Sequence, residues 1–400
     1  MKLILHLKRQ KSIFLVLTIW IFSHLIPGPA HAFDKQSEGK ISDAVNAGLQ
    51  HFLGLADPDK KVIFDSRMVA PVLDFVETPK TNEAIYYSNI VRDLASAYYD
   101  FDVHKSLKTI MDFAFNPDIP AIAIMPSSTR LINWAKSGAG QRNFPRVSRY
   151  LAENSPPVEF RGRQFVEITP DLNSGAYYGY DAHQVLLLFK YRRRNVFVTV
   201  SKQVDVSTVG KKGYVLGSDN GWDYLYTGKT GLTLPALGWV QSYMYDSMGI
   251  NIYYANEPTA PKVRCAVFKW LRAGWSGINM VQKKHIYRGL KRFGATFKEI
   301  VESPLLPPVN TLAGDFARIQ GLSRDALRSK MDIYSNILKS RYNSGHRPLN
   351  KEASKLFENE KHWHQMSKDE MESAMVNEYM KYTIGKTRSD DVRELLGLKR

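Results

Sequence analysis

Asp181 and His183 stand two residues apart at the end of a glycine- and tyrosine-rich stretch, residues 173–183. On a strand, residues i and i+2 share a face. The carboxylate would then orient the imidazole as a general base, with Ser174 or a water as nucleophile and Tyr180 assisting. The plainer reading of the same residues is a histidine hydrogen-bonded where a strand opens.

Two aromatic series offer a different chemistry. Trp222, Tyr224 and Tyr226 alternate, as do Trp239, Tyr243 and Tyr245, so each series points to one face of a strand. Exposed, such rings stack on sugars; enclosed, they line an apolar cavity with hydroxyl handles. Packed under a helix, they are core.

The third signal is charge. The chain carries a formal net charge of +16. Residues 1–32 hold four of those charges, and residues 33–157, 158–257 and 299–400 are each nearly neutral. Residues 258–298 contain ten Lys and Arg and no Asp or Glu. Within them Lys284, Arg288, Lys291 and Lys298 recur at helical spacing, with Arg272, Lys283 and Arg292 nearby. A basic amphipathic helix of this kind suits anionic lipid head groups, a polyanionic envelope component or an acidic protein partner. The competing reading pairs these charges with acidic residues elsewhere in the fold.

Other patterns are weaker. Residues 273–277 lack the spacing of a G-x-S-x-G elbow, and the carboxylates of 219–223 are explained by a hairpin turn. Glu358, Glu360, His362 and His364 read as a charged solvent face. The sequence calls for no metal and no cofactor.

The elements that must position these groups follow from the hydrophobic period, punctuated by prolines at 156–157, 258, 261, 304 and 307–308. Residues 33–157 read as mainly helical, including one helix through Ala84, Tyr87, Val91, Leu94, Tyr98 and Phe101, with residues 121–125 as a buried strand. Residues 158–257 read as successive hairpins turning at 192–195, 219–221 and 246–249, hence an antiparallel sheet of about eight strands: a curved sheet, sandwich or partial barrel. Helical spacing returns through Val263, Val267, Trp270, Gly274, Ile278 and Val281, so residues 258–302 read as basic amphipathic helices packed on the sheet. Cys265 falls on a helix flank as a small packed hydrophobe. Residues 303–400 form a helical C-terminal region, with a capping box at Ser367 and Glu370. The fold class is α+β.

Residues 1–32 read as an address. Lys2, Lys8, Arg9 and Lys11 precede an apolar run from Ile13 to Ile26, and Ala30-His31-Ala32 ends it. This is the pattern of a cleaved signal peptide. Fourteen helical residues span roughly 21 Å, short of the roughly 30 Å of a bilayer core. No N-x-[ST] sequon occurs, which points to a bacterial periplasm, with peripheral membrane association through the basic stretch. That compartment excludes nucleic acid as the expected partner.

The sequence therefore reads as an exported, non-catalytic envelope-binding protein. It would hold a lipidic or glycan-like ligand on an aromatic sheet beside a basic helical surface. The alternatives are a periplasmic hydrolase using Asp181 and His183, and a subunit of an envelope assembly.

Overall fold

A computed structural model describes residues 41–78, 93–134, 146–152, 157–171, 174–234, 238–256, 261–343, 354–355, 366–387 and 390–397. The signal-peptide segment, Tyr87 and Val91, and residues 358–364 lie outside them.

The centre is an eight-stranded antiparallel sheet. Its strands are β1 (Ala95–Val103), β2 (Thr129–Trp134), β3 (Val158–Ile168), β5 (Gly179–Tyr191), β6 (Arg194–Gln203), β11 (Ser242–Ala255), β12 (Val263–Trp275) and the short β13 (Ile278–Asn279). The order across the sheet is β1-β12-β11-β6-β5-β3-β2, with β13 paired to β12. A small three-stranded sheet holds β4 (Ala176–Tyr177), β7 (Lys211–Val215) and β8 (Tyr224–Thr230), and β9 (Leu232–Leu234) pairs with β10 (Gly238–Val240).

Helices flank the sheet on both sides in the chain, making the fold α+β. Before it or between its first strands come α1 (Asp43–Leu55), α2 (Ser66–Glu77), α3 (Leu107–Ala114) and α4 (Ala121–Ile124). After it come α5 (Lys283–Glu302), α6 (Val309–Gln320), α7 (Arg324–Asn343), α8 (Lys368–Thr383) and α9 (Asp390–Leu396). Side-chain caps start several of them: Ser42 accepts from the Val45 amide, Ser106 from that of Thr109, and Ser367 with Glu370 forms a capping box.

One face of the large sheet is filled by α1 and α2. Leu49, Phe52, Val72 and Val76 meet Leu187, Val198, Ile250, Phe268 and Trp270, all buried. The opposite face carries α5, whose Phe293 and Phe297 lie edge-on to Phe101 of β1. Gly294 allows that approach, since a Cβ there would sit 2.7 Å from the Tyr99 ring.

Four elements differ from the sequence expectation. Residues 263–275 form strand β12, not a helix, so Cys265 is a buried strand residue and only the segment from Lys283 onward is the basic helix. Residues 95–103, the described end of the helix expected from Ala84 to Phe101, form β1. The cause is shared: each strand carries apolar side chains on both faces, Tyr98 and Phe268 toward α2 and Tyr99, Phe101 and Val267 toward α5, so a 3.6-residue stripe can be drawn through it. Residues 121–124 form a helical turn rather than a strand, because a four-residue apolar run carries no period to distinguish the two. Residues 246–249 are not a turn; β11 runs through them with a bulge between Met244 and Asp246. The large sheet thus takes strands from both sides of the 158–257 segment. The turn at Arg192-Arg193 forms as read, both residues adopting positive φ, with Arg192 and Arg194 hydrogen-bonded to Glu77 of α2.

Candidate functional site

Between the α5 side of the sheet and the C-terminal helices lies a cavity of about 1340 Å³. Its floor is the face of the sheet opposite α1 and α2, and strand register determines which side chains reach it. Lys269 of β12 pairs with Gly249 of β11, Gly249 with Ser201 of β6, and Ser201 with Gln184 of β5. These four form one polar row across four strands, and all line the cavity. A parallel row, Val267, Asn251, Thr199 and Leu186, runs beside it. The bulge after Met244 shifts the alternation of β11 by one, so Met244 and Ser247 both face the cavity together with Gly249 and Asn251. The walls are mostly apolar: Ile132, Ile168, Ile286, Leu290, Phe293 and Val376 among others.

Most polar groups of the floor are satisfied within the protein. Asn251 Nδ2 donates to Thr199 Oγ1 at 2.9 Å, and Gln164 Nε2 to Gln184 Oε1 at 3.0 Å. Lys269 Nζ donates to Ser247 Oγ at 2.7 Å, and Ser247 also hydrogen-bonds the Tyr180 hydroxyl. Burial pushes the Lys269 amine down to about 8, against the opposing pull of the Asp246 charge. Gly249 leaves the space between Lys269 and Ser201 open; a Cβ there would lie 3.2 Å from Ser201 Oγ and 3.8 Å from Lys269 Cδ.

Two further cations line the cavity, and both are neutralised. Arg130 is fully buried, hydrogen-bonds Glu167 at 2.9 Å and Glu370 at 2.8 Å, and stacks 3.6 Å above the Tyr226 ring. Arg292 of α5 is bonded to Asp219 at 3.0 Å. A second buried ionic cluster joins Asp223 to Lys381, Arg341 and Tyr342, tying β8 to α7 and α8.

The residues singled out by sequence fall into separate places. Asp181 and His183 share a face, but Asp181 is held by Arg163 at 2.9 Å, and Tyr180 points to the other face, into the cavity. The three do not converge, so no Asp-His-Tyr constellation forms. Strand alternation itself separates position 180 from 181 and 183.

Trp222, Tyr224 and Tyr226 are buried core of the small sheet, not a platform on the large one. Tyr226 meets Tyr177 edge-on at 5.1 Å, and Asn377 of α8 donates to the Trp222 carbonyl. Trp239 belongs to β10 and Tyr243 and Tyr245 to β11, so they are not one alternating series; the Trp239 side chain lies outside the described residues. Tyr243 and Tyr245 face away from the cavity, their hydroxyls bonded to Gln241 and the Gly277 amide.

The basic set divides as well. Arg272 is a strand residue lying 5.1 Å from the Tyr245 ring centre. Lys283, Lys284, Arg288, Lys291, Arg292 and Lys298 are on α5. Lys298 reaches Glu302 at 3.9 Å, and Arg288 and Lys291 are exposed. Lys262 and Arg264 hold Asp102. Three of the ten basic residues of 258–298, Lys262, Arg264 and Arg292, are therefore paired with acidic residues distant in sequence.

The row of Lys269, Gly249, Ser201 and Gln184 escaped the sequence reading. Its one visible signal is Lys269 directly after the apolar run 265–268, a charged residue next to a packed stretch.

Among the described residues, no group of three or more His, Cys, Asp or Glu is placed to hold a metal ion, and no helix is long and apolar enough to cross a membrane. Comparison with known proteins gives no matching family model and no matching curated protein. Among solved structures, the human StarD13 (DLC2) lipid transfer and protein localization domain is similar to this chain at 8% identity and a TM-score of 0.23. The similarity covers 58% of this chain and 98% of that domain. A TM-score that low transfers neither fold detail nor ligand.

Proposed function

We propose that this chain is a binding protein for a lipid-sized, largely apolar molecule held in the cavity between the sheet and α5. The observation that carries the reading is the cavity itself. Its 1340 Å³ exceeds the roughly 300–1,000 Å³ usual for small-molecule sites, its lining is mostly apolar, and Lys269, Ser201, Gln184 and Asn251 stand together on the floor. A lipidic ligand suits it better than a glycan, because the lining is mostly apolar and most polar groups of the floor are already hydrogen-bonded within the protein. Export through residues 1–32 and residence in the cell envelope belong to the same reading, supported by the charge and apolar patterning of that segment. The exposed Arg288 and Lys291 on α5 would face an anionic lipid surface or a polyanionic component of the envelope.

Titration of the purified protein with the apolar fluorophore N-phenyl-1-naphthylamine tests the cavity. Saturable binding near one molecule per chain is expected, and loss of it in Ser201→Trp, which places an indole on the floor. Absence of saturable binding to a folded protein would refute the reading. Native mass spectrometry of protein from its source would then identify the molecule carried.

A further inference from the structure

Resting on the cavity reading, we infer that the ligand carries a single carboxylate at one end and binds with that end against Lys269 and Ser201. Three observations meet at this point of the floor. First, of the three Lys and Arg side chains lining the cavity, Arg130 and Arg292 each hold a carboxylate of the protein, whereas Lys269 is bonded to a hydroxyl. Among the described residues no Asp or Glu lies within ion-pair distance of its Nζ, since every lysine so placed has a different identity. The Asp246 charge acts on it only from beyond that distance, and a partly desolvated ammonium with no carboxylate in contact is costly, so a ligand anion would supply a direct partner.

Second, the amine is flanked by groups able to complete an anion site. Ser201 stands two strands away in the same row, and Gly249 between them has no side chain to fill the gap. A carboxylate seated over Gly249 has the ammonium on one side and a hydroxyl donor on the other, the charge-assisted arrangement that favours short hydrogen bonds.

Third, Val267, Leu271, Leu290 and Phe293 line the cavity beside this row, so the part of the ligand next to the carboxylate would be apolar. One ammonium balances one negative charge. A phosphate monoester carries a second charge, for which this row offers no second cation.

Displacement of the bound fluorophore by dodecanoate, dodecanol and dodecyl phosphate, at neutral pH, separates the outcomes. Dodecanoate is expected to bind at least tenfold more tightly than dodecanol and more tightly than dodecyl phosphate. In Lys269→Met the preference for dodecanoate over dodecanol should vanish while dodecanol binds as before, and Lys269→Arg should restore part of it. Equal binding of dodecanoate and dodecanol by the wild type, or an unchanged preference in Lys269→Met, would overturn the inference and leave the cavity reading intact. Tighter binding of dodecyl phosphate would overturn the carboxylate assignment. Failure of the fluorophore and all three amphiphiles to bind would refute the cavity reading, and this inference with it.

Discussion

Phe268 and Lys269 are neighbours on β12, yet they belong to two different environments. Phe268 is wholly buried against Phe75 and Tyr98 in the layer formed by α1, α2 and one face of the sheet. Lys269 points the other way, into a cavity it shares with Ser201, Gln184 and Asn251. The first face is closed by close-fitting apolar side chains, as interiors normally are. The second keeps a void and a strand-crossing row of polar groups, an arrangement that lowers stability and that packing alone does not explain. The contrast teaches that one face of this sheet is packed by α1 and α2, whereas the other is packed at Leu188, Phe197 and Tyr253 and open at Lys269 and Ser201.

Substitutions on the two faces test that division. The largest effect is expected from Phe268→Ala: emptying a close-packed site costs about 3–5 kcal/mol, measurable by urea unfolding. A loss under 1 kcal/mol would show that the α1–α2 layer is not the stabilising one. On the opposite face the sign should reverse. Lys269→Met exchanges a half-buried cation that has no carboxylate at ion-pair distance for an apolar side chain of similar length and is expected to raise stability by about 1 kcal/mol.

That gain should depend on pH. The Lys269 amine titrates near 8 in the folded chain, below its ordinary value of 10.5. Between those two values the unfolded chain holds more protons at this position, so the wild type is stabilised as pH rises through that window. The advantage of Lys269→Met should shrink from pH 8 to 10.5 and stay constant below 7. A constant difference across the whole range would show the amine to be unperturbed.

Ser201→Trp should cost no more than about 1 kcal/mol, since the indole enters open space rather than displacing packed atoms, while abolishing fluorophore binding. The smallest stability change is expected on the outer surface. Arg288→Glu with Lys291→Glu should leave stability within about 0.5 kcal/mol but remove co-sedimentation with anionic vesicles at low salt. Wild-type binding to neutral vesicles, or binding insensitive to salt, would refute the surface role of α5.

Much of the architecture was legible. Hairpin signals at 192–195 and 219–221 marked an antiparallel sheet, and Ser367 with Glu370 marked the start of α8. β1 and β12 read as helix because each carries apolar side chains on both faces, which hides the two-residue alternation, and residues 121–124 read as strand because so short an apolar run carries no period. The site was less legible still. Asp181 and His183 attracted notice because they are close in sequence, and strand geometry then directed them away from Tyr180. Lys269, Gly249, Ser201 and Gln184 are each unremarkable locally; three long strand pairings place them side by side.

By itself the sequence determined the local preferences: apolar runs for strands, turn residues for hairpins, caps for helices, and a cluster of positive charge at residues 258–298. These depend on neighbours within a few positions, where propensity and period act. Tertiary structure alone decided which charges were neutralised and which face of the sheet stayed open. Asp102 compensates Lys262 and Arg264 from 160 and 162 residues away in the chain, and Asp219 compensates Arg292 from 73. Ion pairing and cavity formation depend on distance in space, and the register of the sheet, which sets those distances, is a property of the whole fold.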